Sequence, residues 1–268
     1  MRCPFQEGAF PFPVKYGYAF VGAPLDVAEG EGAAAGPVFA LAPHQEFASL
    51  PKDAAIPLPR NLPPRRAILA ANMETAINVI WDAGVGVGDK TLIVGAGVVG
   101  LLIGYLAQRI PGVAVAIADR NPNRRPLAEA LGLAFCAPPD GPEDVDVAIN
   151  ASASGAGLAY ALEKAGAEAR IVEASWHGDA DVSLPLGRAF HARRLSIVSS
   201  QVGAVPPARA PRWSHRRRLA LALDLLAEAP ALDALITHEL ALADAPEALP
   251  TLLEADADAL CIAIRYPA

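Results

Sequence analysis

Between residues 91 and 199, short apolar runs alternate with longer segments of helical character. Runs of branched and small apolar residues without polar alternation are typical of strands that are buried on both faces of a parallel sheet. The predicted strands are 91–94, 113–118, 134–136, 145–150, 170–174 and 195–199, and the predicted helices are 98–109, 126–131 and 158–165. Six strands in this rhythm predict an α/β fold with a doubly wound six-stranded parallel sheet.

The segments on either side of this region have a different texture. Residues 1–62 are rich in glycine, proline and aromatic residues, which predicts irregular β-structure with strands at 18–21 and 38–41. Helices are predicted over 67–83 and from a cap at Ser214 to 229, and a strand over 260–266 is expected to return to the N-terminal section. The predicted domains are therefore 1–66 with 232–268, and 67–231.

The first strand of the α/β region runs into a glycine turn and then into an apolar helix. In the segment Gly95-Ala-Gly97-Val98-Val99-Gly100, the first glycine permits a tight turn, the second lets the backbone approach a pyrophosphate and the third allows close packing of helix and strand. Asp119 ends the second strand, 24 positions after Gly95, where a carboxylate can accept both hydroxyls of a ribose. The spacing predicts a Rossmann dinucleotide site, and a purely structural glycine turn is the alternative.

The choice of cofactor depends on the residues after the second strand. The carboxylate of Asp119 favours NAD because it repels a 2′-phosphate. Arg120 follows it directly, and with Arg124 and Arg125 it forms a group that could hold the phosphate of NADP or could line a solvated loop. We expect NAD, with NADP as the alternative.

Charge and composition limit the other classes of function. A formal net charge of -7 argues against a general nucleic-acid binder, since phosphate neutralisation needs a basic surface. The basic cluster 212–218 is either an anion site or a solvated helix start with a packing tryptophan. Three scattered cysteines support neither a disulfide framework nor a cysteine-rich zinc site. The most apolar stretch, 91–107, is interrupted by four glycines, so we expect no membrane span and a cytoplasmic location.

These motifs resemble the medium-chain dehydrogenase/reductase superfamily. The stretch from Asp82-Ala-Gly-Val-Gly-Val-Gly88 to the glycine turn is similar to the family's signature at the start of its cofactor domain, and the resemblance covers nearly the whole chain. The segments Asn150-Ala-Ser152 and Ser199-Ser200 are similar to the family's loops after the fourth and sixth strands, which implies a cofactor contact for Ser152. The resemblance implies a partial GroES-like β domain, a homodimer, and hydride transfer between a nicotinamide cofactor and an alcohol, carbonyl or enone.

The chain departs from the family pattern at the catalytic metal and at the start of the chain. Where the family carries a Gly-His-Glu motif with zinc ligands, this chain has Gly17-Tyr18-Ala19, and neither tyrosine nor alanine is a normal zinc ligand. We therefore expect no metal and a zinc-independent enzyme. Relatives have roughly one more set of strands before the segment that resembles 10–22, so the β domain is expected to be incomplete. A non-catalytic dinucleotide-binding remnant is the alternative function.

Three side chains are the candidates for the chemistry of hydride transfer. The resemblance places Thr75 against the nicotinamide, although a threonine bonded to its own helix is as good an interpretation. Glu74 follows an apolar run and is either a proton-exchanging carboxyl or a structural ion pair, and Tyr18 stands at the lost ligand position, as a proton donor or as filling. His44 and His177 are weaker candidates, because a lone histidine is more often structural.

Overall fold

A computed structural model of the chain describes residues 7–8, 13–25, 36–254 and 257–267. The strands are β1 (Phe20–Gly22), β2 (Val38–Ala40), β3 (Ala55–Pro57), β4 (Lys90–Val94), β5 (Ala114–Ala118), β6 (Ala134–Cys136), β7 (Val145–Asn150), β8 (Ala165–Glu173), β9 (Ser196–Ser199), β10 (Ile236–Ala241) and β11 (Cys261–Arg265). The α-helices are α1 (Pro64–Ala67), α2 (Ala70–Ala83), α3 (Val98–Ala107), α4 (Arg125–Ala130), α5 (Gly155–Lys164), α6 (Ala189–Ala192), α7 (His215–Ala227) and α8 (Ala245–Leu252).

The chain divides into two compact units. One unit comprises Met1–Ala71 with Arg216–Ala268, and the other comprises Asn72–His215. The domain boundaries expected from the sequence, 1–66 with 232–268 and 67–231, stay a prediction.

The unit 72–215 is built on a six-stranded sheet with the strand order β6-β5-β4-β7-β8-β9. All five neighbouring pairs are parallel, and the order reverses direction between β4 and β7. The apolar runs form strands here because both faces are covered: α3 packs on β4 and β5, and α5 packs on β4, β7 and β8. This confirms the predicted doubly wound parallel sheet and places the carboxyl ends of β4, β5, β7 and β8 along one edge.

One strand of this sheet is longer than expected. The sequence predicts a helix as far as residue 165 and a strand from 170, whereas α5 ends at Lys164 and β8 begins at Ala165. Glu168 has a positive φ of 61°, and the pairing with β7 shifts register between Val145 and Val147. The extra residues are therefore absorbed in a bulge, which the apolar pattern does not reveal.

The other unit carries two smaller sheets. Strands β1, β2 and β3 form an antiparallel sheet, in agreement with the small β domain expected from the resemblance. The strand predicted at 260–266 is present as β11, but it pairs in parallel with β10 and not with the strands of the N-terminal section. The strand does return to the unit that holds the N-terminal section, but its partner β10 was not predicted, because β10 carries no recognisable strand pattern in its sequence. The prediction also missed β3 and α8.

A buried arginine on α1 connects this helix to the C-terminal part of the unit. Arg66 is nearly inaccessible, and its guanidinium donates to both carboxylate oxygens of Asp233 at 2.7 and 2.9 Å and to the carbonyl of Leu226 at 3.1 Å. Charge-assisted bonds of this bidentate kind fix geometry as well as contribute energy. They hold α1 against the last turn of α7 and the segment that follows it.

Candidate functional site

The first position of the turn after β4, Gly95, has a backbone conformation and surroundings that require glycine. Gly95 has a φ of +105°, and its N–H donates to the carbonyl of Ala118 at 2.7 Å. A Cβ added at Gly95 would lie 2.8 Å from the carbonyl of Ala151 and from the Cα of Ser152. Both the dihedral angle and the close approach therefore require glycine at this position.

The other two glycines of the turn serve different purposes. A Cβ at Gly100 would overlap the carbonyl oxygen of Gly95, so glycine is needed there for the packing of α3 on the turn. A Cβ at Gly97 would meet no atom of the described residues within 4 Å, and its φ of -78° is open to any residue. Packing therefore explains Gly95 and Gly100 but not Gly97.

The N-terminus of α3 opens beside this space. Gly97 caps the helix without a side-chain hydrogen bond, and the first bond of the helix runs from the Leu101 N–H to the Gly97 carbonyl at 2.9 Å. Among the described residues, the N–H groups of Val98, Val99 and Gly100 have no acceptor outside the helix. Three unpaired donors and the positive end of the helix dipole form a site for an anion such as a pyrophosphate.

Asp119 holds the turn in place from the end of β5. Its carboxylate accepts the N–H of Ala96 at 2.6 Å and the N–H of Asn121 at 2.8 Å. Two of its roughly four acceptor positions are used in this way, which leaves capacity for the hydroxyls of a sugar. The structure therefore brings together the predicted residues Gly95, Gly97 and Asp119.

The arginines that follow Asp119 differ in their surroundings. Arg120 is exposed to solvent. The guanidinium of Arg125 lies over the ring of Phe135, 4.6 Å from its centroid, and pairs with Glu129 at 3.3 Å. Arg125 is thus committed to local contacts, while Arg120 is available at the edge of the site.

Ser152 lies next to the glycine turn, in the loop after β7. Its hydroxyl donates to Oδ1 of Asn150 at 2.7 Å, and its Cα is one of the atoms that an added Cβ at Gly95 would strike. Asn150 is completely buried and donates its amide to Oε2 of Glu173 at 2.7 Å. The predicted residue Ser152 is therefore in place beside the cofactor turn and connected to a carboxylate on the next strand.

Glu173 is a functional candidate that the sequence reasoning missed. Its carboxylate accepts the N–H of Ser175 through Oε1 at 2.7 Å, and Nε2 of His177 lies 3.4 Å from Oε2. That nitrogen is buried without a hydrogen bond of normal angle, so the pair is a close contact rather than a formed bond. The sequence offered one signal for this candidate, a carboxylate directly after the apolar residues Ile171 and Val172 at the end of a predicted strand.

The two other predicted side chains of this unit lie on α2. Glu74 is buried, with 3% of its surface exposed, and Thr75 is half-buried. One turn further along, the amide of Asn78 donates to Oδ2 of Asp82 at 3.0 Å, and Ser200 donates to the same oxygen at 2.6 Å. This network ties α2 to the loop after β9, while catalytic roles for Glu74 and Thr75 stay predictions.

Tyr18 and His44 belong to the other unit. Tyr18 is 43% exposed. The His44 N–H donates to the carbonyl of Tyr16 at 2.8 Å, and its imidazole lies directly against Gly17, where an added Cβ would overlap the ring. Burial lowers the pKa of His44 below its ordinary value. His44 therefore packs on the segment that stands in the lost ligand position, and a chemical role for Tyr18 stays a prediction.

The basic cluster 212–218 largely agrees with the solvated helix start and packing tryptophan considered in the sequence analysis: α7 begins at His215, and Arg212, Arg216 and Arg217 are exposed. Arg218 is 1% exposed, and Arg216 donates to the backbone carbonyls of Asp53 and Ala55. Trp213 packs on Trp81 with ring centroids 4.8 Å apart. The burial of Arg218 is the feature that the charge of this segment alone could not indicate.

The described residues contain no group of three or more His, Cys, Asp and Glu side chains arranged to hold a metal ion. They also contain no helix whose length and apolar character would suffice to cross a membrane.

Two curated proteins illustrate the relatives that match in sequence. The chain is 32% identical over 88 residues to the L-threonine 3-dehydrogenase of Rhizobium rhizogenes (strain K84), which is 33% of this chain and 25% of the relative. It is 27% identical over 165 residues to the D-guloside 3-dehydrogenase of Escherichia coli (strain K12), 57% of this chain and 47% of the relative. The chain thus spans at most about half the length of these relatives. No protein-family model matches it.

Solved structures match over more of the chain. A protein from Sinorhizobium meliloti 1021, described as a zinc-binding dehydrogenase bound to NADP, aligns with a TM-score of 0.66 and 24% identity over 80% of this chain and 63% of its own. A short chain alcohol dehydrogenase from Escherichia coli CFT073, complexed with NADH, aligns with a TM-score of 0.66 and 22% identity over the same shares. At these identities the structural likeness establishes the fold alone.

The chain shares the α/β fold of these solved structures. Together, the matches confirm the predicted resemblance to the medium-chain dehydrogenase/reductase superfamily.

Proposed function

We propose that this chain binds a nicotinamide dinucleotide and transfers a hydride between it and an alcohol, carbonyl or enone. The observation that carries the proposal is the open space at Gly97, which packing does not explain and which faces unpaired donors at the start of α3. The N–H groups of Val98 and Val99 would hold the pyrophosphate, and Asp119 would accept the ribose hydroxyls. When bound, the nicotinamide supplies the acceptor or donor of the hydride.

NAD is the preferred cofactor within this proposal, with NADP as the alternative. Asp119 keeps its carboxylate fixed by two backbone donors, and a fixed negative charge repels a 2′-phosphate. Arg125 contacts Phe135 and Glu129, whereas Arg120 is exposed directly after Asp119 in the chain and is the cation that would meet a 2′-phosphate. The structural neighbours were solved with NADP in one case and NADH in the other, so the fold itself accommodates both.

Zinc independence is the second part of the proposal. Tyr18 and Ala19 stand where the family carries zinc ligands, and neither is a normal ligand for that metal. A metal analysis of the purified protein is expected to find far less than one zinc per chain. Stoichiometric zinc that survives dialysis against a chelator would overturn this part.

A non-catalytic dinucleotide-binding protein is the second candidate function. The replaced ligands favour it, because a chain that lost them and acquired no substitute would retain only cofactor affinity. Glu74, which is buried on α2, favours the enzyme instead, since a shielded carboxyl is a group that can exchange a proton with a substrate.

Fluorescence titration with NADH and NADPH, followed by a turnover panel of alcohols, aldehydes, ketones and quinones, distinguishes the candidates. The enzyme predicts saturable NADH binding and turnover with at least one substrate class. Tight binding without turnover across the panel would favour the second candidate, and no binding of either dinucleotide would overturn both. The same preparation tests the proposed homodimer by light scattering, and cell fractionation tests the proposed cytoplasmic location.

A further inference from the structure

The strand order of the sheet separates two halves of the carboxyl edge. In doubly wound sheets each half of the fold takes one half of a dinucleotide, with the glycine turn between them. Asp119 lies at the end of β5, on one side of the turn after β4. On the other side, Val94 pairs with Asn150, and Asn150 pairs with Glu173. If Asp119 takes the adenosine ribose, the nicotinamide half belongs on the side of Asn150 and Glu173.

Glu173 carries a carboxylate that is mostly removed from solvent. Its side chain is 14% exposed, and its two hydrogen-bond donors, the amide of Asn150 and the N–H of Ser175, are neutral. Among the described residues no lysine or arginine pairs with it, and His177 is the ionisable group within 4 Å. A shielded negative charge without a permanent cation is costly, so this position has an unmet preference for positive charge.

The two redox states of a nicotinamide differ in this respect. The oxidised ring carries a unit positive charge, whereas the reduced ring is neutral. We propose that the carboxylate of Glu173 sets the preference of this site for the oxidised cofactor over the reduced one, an inference that rests on the proposed function. The negative charge of Glu173 would change the ratio of NAD⁺ affinity to NADH affinity, and this effect requires no contact between Glu173 and the substrate. A charge pair across a partly buried site corresponds to about a tenfold difference in affinity.

The test compares the ratio of NAD⁺ affinity to NADH affinity in four proteins at a pH of about 8, where ordinary histidines are neutral. Glu173→Gln removes the charge and keeps the shape, and it is expected to lower the ratio about tenfold. Glu173→Asp keeps the charge and is expected to retain most of the ratio. Glu168→Gln is the matched control, because Glu168 lies on the same strand in an exposed pair with Arg194 and should leave the ratio unchanged.

A second pair of variants tests the claim if Glu173→Gln fails to fold. Nε2 of His177 lies 3.4 Å from the carboxylate, so His177→Lys puts a permanent cation within reach of it and should lower the ratio, whereas His177→Gln should not. An unchanged ratio in Glu173→Gln or in a folded His177→Lys, or an equal change in Glu168→Gln, would overturn the inference. If the unmodified protein binds both cofactors and only the ratio fails to move, the proposed function stands. If it binds neither, both fail.

Discussion

Replacing Gly97 by alanine tests whether glycine is required at this position for binding the cofactor or for the stability of the fold. The added methyl group would enter a space with no described atom within 4 Å, and the backbone at φ -78° and ψ -179° accepts any L-residue. Relative to glycine, alanine reduces the entropy of the unfolded chain, which stabilises by about 0.4–1 kcal/mol. Alanine is also a poorer helix cap than glycine, with an opposing effect of similar size. We therefore expect the free energy of unfolding to change by less than about 1 kcal/mol.

The same methyl group would obstruct the proposed pyrophosphate position. Hydrogen bonds to a charged acceptor are each worth about 1.5–3 kcal/mol, so the loss of one bond from the start of α3 corresponds to about a tenfold to hundredfold weaker affinity for NADH. Urea denaturation and fluorescence titration of the same preparation measure the two quantities. The predicted result is weaker binding at unchanged stability.

Two other glycines provide the controls. Gly187 also faces open space, and its substitution by alanine should leave the affinity for NADH unchanged and raise the free energy of unfolding by no more than about 1 kcal/mol. Gly100→Ala should lower the free energy of unfolding by about 1–3 kcal/mol, because its methyl group overlaps the carbonyl of Gly95. The reasoning is refuted if Gly97→Ala binds NADH as tightly as the unmodified chain. A loss of stability as large as that of Gly100→Ala would instead support the structural glycine turn.

Three further predictions follow from individual side chains. Asp119→Asn keeps an acceptor oxygen but removes the charge, so the affinity for NADPH relative to NADH should rise about tenfold in paired titrations, and an unchanged ratio would argue against a ribose contact. The hydrogen bond from Arg66 lowers the pKa of Asp233, so this carboxylate stabilises the fold above its ordinary pKa of 3.8 and the contribution is lost as pH falls through the lowered value. Arg66→Met should lower the free energy of unfolding by about 2 kcal/mol at neutral pH. It should also weaken the fall of that free energy between pH 3.8 and the lowered pKa of Asp233, as measured by urea denaturation at a series of pH values. Burial lowers the pKa of His44, so the unfolded chain binds the proton first and stability should fall as pH drops below 6.5; His44→Gln should reduce that slope, and an unaltered slope would contradict the assignment.

The sheet and the glycine turn could be predicted because their signals are local. The apolar runs of β4 and β7, and the three glycines in and just before the first turn of α3, each reflect a physical requirement that is visible within a few residues of sequence. The prediction of Asp119 required one further piece of information, the usual length of a βαβ unit. The different purposes of the glycines, however, became visible only with the positions of the atoms around them.

The sequence did not reveal that Asn150, Glu173, Ser175 and His177 lie together, because these residues do not belong to one segment. They come from the ends of two strands and the loop that follows, and only the parallel register brings Asn150 beside Glu173. The partners of buried charges are similarly invisible in sequence: Arg66 and Arg218 look like surface residues, yet both are buried. The pairing of β11 with β10 depended on a strand whose alternating pattern is too weak to recognise.

A crystal structure of the chain grown with NADH tests the central claim most directly. We expect one dinucleotide per chain, with pyrophosphate oxygens on the N–H groups of Val98 and Val99, the adenosine ribose on Asp119, and the nicotinamide half on the side of Glu173. A dinucleotide bound elsewhere, or crystals from saturating NADH with no dinucleotide at the glycine turn, would contradict it.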